Sequence, residues 1–349
     1  MVRSYKCPSC GGDMVFNAQK EMLVCASCDT AKTVSEMEAA KTSETDKQTS
    51  KEHTHTGDFN LFQCPSCGAE ILTDLHTAAT FCSYCNSPTL IESRLNGEVT
   101  PSYVIPFKIN KIQTTEAFLA WVKKGRLTPK EFGLSTTIEK ITGMYVPFWL
   151  YDFNSDMQMQ AHCTNTRRER RGDYEYTHTD HYDVYRDLAT SYSRIPVDAS
   201  EKMDDTTMDL VEPFDYSALT PFEMGYLAGY QAEKYNYDKH KLKGRAEVRV
   251  RQYITDLTRS TIRGYSSVRI THSNINMQSK NTDYALMPVW MLRYRYKGKD
   301  YSFTMNGQTG KIVGKLPVSK AKAALYLGAI TVSGGVIINL LLLAFNYFA

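Results

Sequence analysis

One spacing occurs twice in this chain and restricts its fold more than any other feature. "CPSCGGDMVFNAQKEMLVCASC" runs from Cys7 to Cys28, and "CPSCGAEILTDLHTAATFCSYC" from Cys64 to Cys85. Both read C-x2-C-x14-C-x2-C. Two residues between cysteines let a tight turn present both sulfurs to one ion. Two such turns joined by a hairpin give four sulfurs in a tetrahedral array, a closed structural zinc site. Cys7, Cys10, Cys25 and Cys28 are expected to hold one Zn2+, and Cys64, Cys67, Cys82 and Cys85 a second. Gly11 and Gly68 follow a knuckle cysteine, where a positive φ suits glycine. "MVF" (14–16) and "MLV" (22–24) are the strand candidates of the first rubredoxin-like ribbon, "EIL" (70–72) and "ATF" (79–81) those of the second. Iron is the competing ion. A catalytic zinc would need an open position, which four thiolates do not leave.

The first ten residues hold no apolar run, so no signal peptide is expected. The thiols should then stay reduced, and a metal site is preferred over disulfides. The other end of the chain is different in kind. Residues 323–348 carry no charge. As a helix they would extend ~39 Å, against a hydrocarbon core of ~30 Å. Tyr326 stands near one end and Tyr347 and Phe348 at the other, as an aromatic belt requires. Lys311, Lys315, Lys320 and Lys322 precede the run and no charged side chain follows it. The reading is a tail anchor in the cell membrane, with residues 1–322 on the cytoplasmic side. Gly328, Thr331, Gly335 and Asn339 share one helical face. They are the candidate contact with a second membrane helix, from another copy or another protein; the alternative is that Asn339 bonds its own backbone and the glycines are incidental.

Charge bears on what the ribbons touch. Residues 1–100 contain eight Lys or Arg and thirteen Asp or Glu, a formal net of −5. Each site of four thiolates and one Zn2+ adds −2, giving about −9 when metallated. Phosphate backbones attract the opposite sign, so nucleic acid is not the expected ligand of the ribbons. Between them, residues 35–60 are polar with no sustained apolar period and read as a flexible or partly helical tether. His53 and His55 lie within it.

Residues 100–319 form the main unit, a mixture of helix and antiparallel sheet. "TTEAFLAWVKKG" (114–125) has helical spacing, a Thr114 N-cap and a Gly125 stop. Thr136 and Glu139 fit a capping box for a short helix ending near Gly143. In "DMQMQAHC" (156–163) apolar and polar residues alternate, which predicts a half-buried strand with Cys163 on the buried face. "RRERRGD" (167–173) reads as the tip of that hairpin, a solvated turn that in a membrane-anchored chain could also meet acidic lipid headgroups. The stretch 201–262 is expected to be mostly helical, followed by strands and hairpin turns at 297–300 and 306–310. "YVPFWLYD" (145–152) and "LMPVWMLRY" (286–294) share a Pro-apolar-Trp core; an internal duplication and chance similarity both account for it.

No phosphate-cradling Gly-Lys-Ser/Thr loop, H-E-x-x-H or G-x-S-x-G motif is present, and no catalytic residue is assigned. His178, Asp180, His181 and Asp183 come nearest to a metal cluster. On a strand 178 and 180 share one face and 181 and 183 the other, which divides the group.

Two "CPSCG" ribbons, then "VIPFKI" (104–109), "YVPFWLYD", "YLAGYQAE" (226–233), "MPVWMLRYRYKGKDYSFTMNGQTGKIVG" (287–314) and a terminal apolar helix resemble a bacterial family of tail-anchored, YdjG-like proteins labelled TFIIB-type zinc ribbon-containing proteins. The resemblance covers nearly the whole chain. It implies a non-enzymatic membrane adaptor whose genes lie near those of flotillin-like (SPFH) and PspA-like membrane-stress proteins, which are its expected partners, with zinc ligation at the eight ribbon cysteines. The fold expected is α+β: ribbons at 1–34 and 61–99, a tether at 35–60, a body at 100–319 and a transmembrane helix at 323–348. Self-association and a membrane-linked nucleic-acid role for the basic segment 245–263 are the alternatives carried forward.

Overall fold

The structure, a computed structural model, describes residues 2–42, 53–56, 59–95, 100–129, 132 and 138–348. The capping residue expected at Thr136 and most of 43–58 lie outside these. Within the first ribbon are strands β1 (Val2–Arg3), β2 (Met14–Asn17), β3 (Met22–Cys25) and β4 (Ala31–Lys32), followed by helix α1 (Val34–Thr42). β2 and β3 pair as the expected hairpin, and β4 adds to β3. Helix α1 opens on a capping box. The N–H of Glu36 donates to Thr33 Oγ1 and the N–H of Thr33 to the Glu36 carboxylate.

The second ribbon departs from the first. It comprises β5 (His53–Thr56), β6 (Phe59–Gln63), β7 (Glu70–Asp74), β8 (Thr77–Phe81) and β9 (Pro88–Ile91). β7 and β8 are the expected strands, yet no β7–β8 ladder exists among the described residues. β7 pairs with β6, while β8 joins β9 and the main sheet. Asp74 turns the chain between them, accepting from the N–H groups of His76 (2.9 Å) and Thr77 (2.8 Å). The edge of β8 is occupied by the body, through Ala232↔Ala79 and Glu233↔Thr77.

The body contains β10 (Tyr103–Val104), α2 (Lys111–Lys124), β11 (Thr142–Arg171), β12 (Tyr174–Asp198), α3 (Asp205–Val211), β13 (Thr220–Pro221), β14 (Gln231–Glu233), α4 (Lys239–Ser260), β15 (Ser267–Tyr296), β16 (Lys299–Asn306) and β17 (Ile312–Gly314); α5 (Lys320–Phe348) follows. One order occurs twice: short strand, helix, long strand, return strand. β10, α2, β11 and β12 make one copy; β14, α4, β15 and β16 make the other. The long strands pair antiparallel through Pro147↔Leu286 and Tyr145↔Pro288. Each short strand runs parallel to the other copy's long strand, Tyr103 beside Ala285 and Gln231 beside Met144. Trp149 Nε1 donates to Tyr237 O (2.8 Å) and Trp290 Nε1 to Ile109 O (2.9 Å). Each carbonyl lies one residue before a helix N-cap, Asp238 or Asn110. The two Pro-apolar-Trp segments are therefore equivalent positions about a local two-fold axis.

β11 and β15, of 30 residues each, would extend about 100 Å if straight. With β12 they form a three-stranded arm whose tip turns at Gly172. α4 lies along one face. Its buried residues Leu242, Ala246, Val250, Ile254 and Thr258 recur every fourth position. The first four share a core with the buried face of β11, Met157, Met159, Ala161 and Cys163, which fulfils the alternation expected there.

Three expectations are corrected. α2 starts a turn before Thr114, because Asn110 accepts from the N–H of Gln113 and Gln113 Oε1 accepts from the N–H of Asn110. Thr114 is instead buried within the helix, its hydroxyl bonded to Asn110 O. β11 begins at Thr142, so Gly143 lies inside a strand. Its place is made by the Tyr230 and Trp290 rings, which a Cβ would meet at 2.7 and 3.1 Å. "TPFEMGYLAGYQAEKYN" is not helical but forms β13, a short 3-10 turn at Met224–Leu227 and β14. Pro221 and Gly229, the latter at φ +89°, break the helical period.

Candidate metal centres and membrane anchor

The four knuckles share one geometry. The residue after each second cysteine donates its N–H to the carbonyl of the first: Gly11 to Cys7, Asp29 to Cys25, Gly68 to Cys64 and Asn86 to Cys82, at 2.9–3.1 Å. All four donors have positive φ, +73°, +55°, +75° and +57°. The glycines were visible as turn residues in the sequence. Asp29 and Asn86 carried the same signal more weakly, since Asp and Asn tolerate this region best among the other residues.

These turns aim four sulfurs at one point in each ribbon. Cys7 and Cys28 lie 3.5 Å apart, as do Cys10 and Cys25. In the second ribbon Cys64–Cys85 and Cys67–Cys82 are each 3.7 Å apart. Sulfurs at ~2.3 Å from a tetrahedral zinc stand roughly 3.8 Å from one another, so each set fits one structural Zn2+ without rearrangement. The surroundings divide each set: some thiols are drawn towards the thiolate, the form that binds metal, while the neighbouring sulfurs help push Cys10 and Cys85 up to about 12. N–H groups of Cys85 and Tyr84 draw the Cys82 thiol down to about 7. Thr30, 3.1 Å from the Cys28 sulfur, lowers that thiol too. In both sets the first and third cysteines are buried and the second and fourth exposed.

The ribbons are built into the body. β1 of the first pairs with β9 of the second, and Lys6 Nζ reaches Ser66 Oγ at 2.8 Å. The N–H of Phe16 donates to Ala228 O at 2.8 Å, and its ring packs edge-on to Tyr226 at 5.3 Å. Glu38 of α1 accepts from the N–H of Gly225. Lys202 Nζ joins Asp74 of the second ribbon to Glu233 of β14. Burial works to raise Asp74, but Lys202 and the His76 and Thr77 N–H groups outweigh it and hold that carboxylate well below its usual range.

At the other end, α5 is long and apolar enough to cross a bilayer. Its side chains from Ala324 to Leu340 are almost all exposed, Leu325 at 75% and Leu340 at 60%, with no described segment covering them. Its start is held to the body by the loop after α2. Ser319 N–H donates to Leu127 O (2.9 Å), Lys322 Nζ to Thr128 O (2.6 Å) and Arg126 Nη1 to the Tyr326 hydroxyl (2.9 Å). Arg126 carried no sequence signal for this role, since 200 positions separate it from Tyr326. Along the anchor, Gly328, Thr331, Gly335 and Asn339 lie exposed on one face. The Asn339 amide donates to Gly335 O (3.1 Å) and the Thr331 hydroxyl to Leu327 O (2.9 Å), so both are satisfied within their own helix.

The arm divides the His/Asp group as its strand period requires. His181 and Asp183 face His162 of β11, whose Nε2 and Nδ1 stand 3.0 Å from His181 Nδ1 and Asp183 Oδ1. Asp180 instead meets Arg167 at 3.3 Å. Among the described residues, only the two four-cysteine sets converge as groups of three or more metal-ligating side chains. The basic segment of α4 is also internally engaged. Arg245 contacts Asp198, Asp205 and Asp209 at 2.8–3.0 Å, and Arg249 bridges both oxygens of Glu212 at 3.0 and 2.6 Å.

Comparison with known proteins gives one full-length relative. The uncharacterized protein YdjG of Bacillus subtilis (strain 168) is 42% identical over 348 residues, spanning 99% of this chain and 98% of the relative. No family model matches the chain, and no solved structure matches it.

Proposed function

Given that the chain belongs to the family of Bacillus subtilis YdjG, we propose that it is a non-enzymatic, tail-anchored adaptor that holds soluble partners at the inner face of the cell membrane. The observation that carries this reading is mechanical continuity. The second ribbon shares β8 with the main sheet, and the body grips the first turns of α5. A partner bound at a ribbon or on the arm is then held at a fixed height above the bilayer. Closed four-thiolate sites suit such a role, because they stabilise a small fold and leave no coordination position for a substrate. Membrane-stress proteins of the SPFH/flotillin-like and PspA-like kinds are the partners we infer from the family resemblance. Two acidic ribbons on one anchored body allow two weak contacts to reinforce each other.

The test is co-purification from detergent-solubilised membranes, comparing the full chain with one ending at Ser319. Membrane-associated proteins should be retained by the full chain and lost with the truncated one. Identical retained sets would refute the adaptor reading. The second reading, a nucleic-acid protein using residues 245–263, is weakened by the ion pairs of Arg245 and Arg249. Salt-sensitive retention of the full chain on DNA would restore it. Self-association along Gly328, Thr331, Gly335 and Asn339 is a further proposal. Gly335→Ile should lower crosslinking between copies by blocking close approach; unchanged crosslinking sets the stripe aside.

A further inference from the structure

We propose that the body carries a binding site for the headgroups of acidic phospholipids beside the first turns of α5, built from Lys123, Lys124 and Arg126 of the body with Lys320 and Lys322 of the anchor. The inference rests on α5 crossing the bilayer and adds a specific ligand to that reading. Its height is fixed by geometry. Tyr326 lies six residues beyond Lys320, about 9 Å along the helix, where the exposed apolar surface of Leu325 and Leu327 begins. The bond from Arg126 to the Tyr326 hydroxyl sets the guanidinium at the boundary between headgroups and hydrocarbon. The bonds from Ser319 and Lys322 to Leu127 O and Thr128 O hold the rest of the loop at that level.

Packing makes the placement firm. At Gly125 a Cβ would come within 2.2 Å of Thr128 Oγ1 and 2.5 Å of Leu316 Cδ1, so the turn between α2 and the loop is pressed against the segment leading into the anchor. Lys123 and Lys124 form the last turn of α2 and are exposed, as are Arg126 and Lys320. None of the five cations lies in an ion pair with a described carboxylate. Among the described residues Arg126 donates through Nη1 to Tyr326 alone, which leaves its other N–H donors for a phosphate. A phosphodiester at the surface of the bilayer supplies the charge these groups lack, and basic groups are attracted to acidic lipid at that depth.

The experiment uses the full chain, released from nanodiscs containing equal phosphatidylglycerol and phosphatidylcholine, with retained lipid counted by native mass spectrometry. Phosphatidylglycerol should be retained several-fold over phosphatidylcholine. The combined variant K123Q/K124Q/R126Q should lose that excess. R167Q/R168Q, at the tip of the arm, should keep it although it also removes positive charge. Equal retention of both lipids by the natural chain overturns the proposal. So does an excess that survives the triple variant, or one lost equally in the arm variant. Displacement of the retained lipid by inorganic phosphate would assign the site to soluble anions instead. Resistance to alkaline extraction is scored on every sample. Extraction of the natural chain defeats the anchor itself, whereas an inserted chain without lipid preference defeats only this site.

Discussion

Replacing Arg245 by Met tests the energetics of the body most directly. Arg245 Nη1 stands 2.9 Å from Asp198, a residue only 1% exposed. Burial is the largest influence on Asp198 and exceeds the attraction of Arg245, so its pKa is pushed up to about 6. In the unfolded chain it would be roughly 3.9. The folded form therefore holds this proton more tightly, and stability falls as pH rises from about 4 to about 6, then stays level. That gap of about two units costs about 3 kcal/mol at neutral pH. Without Arg245 the carboxyl should stay protonated at pH 7. The cost then becomes that of protonating an aspartate about three units above its unfolded value, about 4 kcal/mol. The increment of about 1 kcal/mol adds to at most about 1 kcal/mol from the more exposed pairs with Asp205 and Asp209.

Arg245→Met should thus lose about 2 kcal/mol at pH 7, about 3 at pH 8 and no more than about 1 at pH 5, where Asp198 is protonated with or without the arginine. Urea unfolding of the detergent-solubilised full chain, followed by the fluorescence of buried Trp149 and Trp290, measures this. Adding Asp198→Asn should abolish the pH dependence of the loss. A loss of equal size at pH 5 and pH 8, or a slope that persists in the double variant, would refute the reasoning.

Elemental analysis of reduced protein should give two zinc ions per chain, and Cys7→Ser should leave one. Because the first ribbon packs on Gly225, Tyr226 and Ala228 of the body, that variant should also lower the melting temperature of the body; a body transition identical to the natural one would show the ribbon to be independent. Gly229→Ala places a Cβ 2.9 Å from that of Val15 at φ +89° and should cost about 1–2 kcal/mol for the left-handed conformation alone, with new protease sensitivity confined to residues 1–42. A loss no larger than that, with no new protease sensitivity in residues 1–42, would show that the first ribbon does not press on this turn. A cysteine added after Ala349 should react with an impermeant thiol reagent in intact cells, and one placed at Ser35 should not; the reverse pattern inverts the orientation we propose.

The parts legible in the sequence are those whose chemistry is local. Four cysteines at C-x2-C spacing fix their own knuckles, and metal binding supplies the energy of such small folds. An uncharged run of 26 residues needs only a bilayer to be stable. The alternation of Met157, Met159, Ala161 and Cys163 declares a buried strand face whatever packs on it. The tertiary structure decided what local preference leaves balanced. β8 resembles β3 in sequence position, yet it leaves its hairpin because β14, some 150 residues away, supplies a better-buried neighbour. "TPFEMGYLAGYQAEKYN" has helical spacing in part, but the packing of Gly225 against Val34 and of Gly229 against Val15 makes it a docking segment for the first ribbon. The two-fold arrangement of β11 and β15, and the grip of Arg126 on Tyr326, depend on groups separated by more than a hundred residues. Their pairing follows from the closure of the whole sheet, and no window of sequence contains both partners.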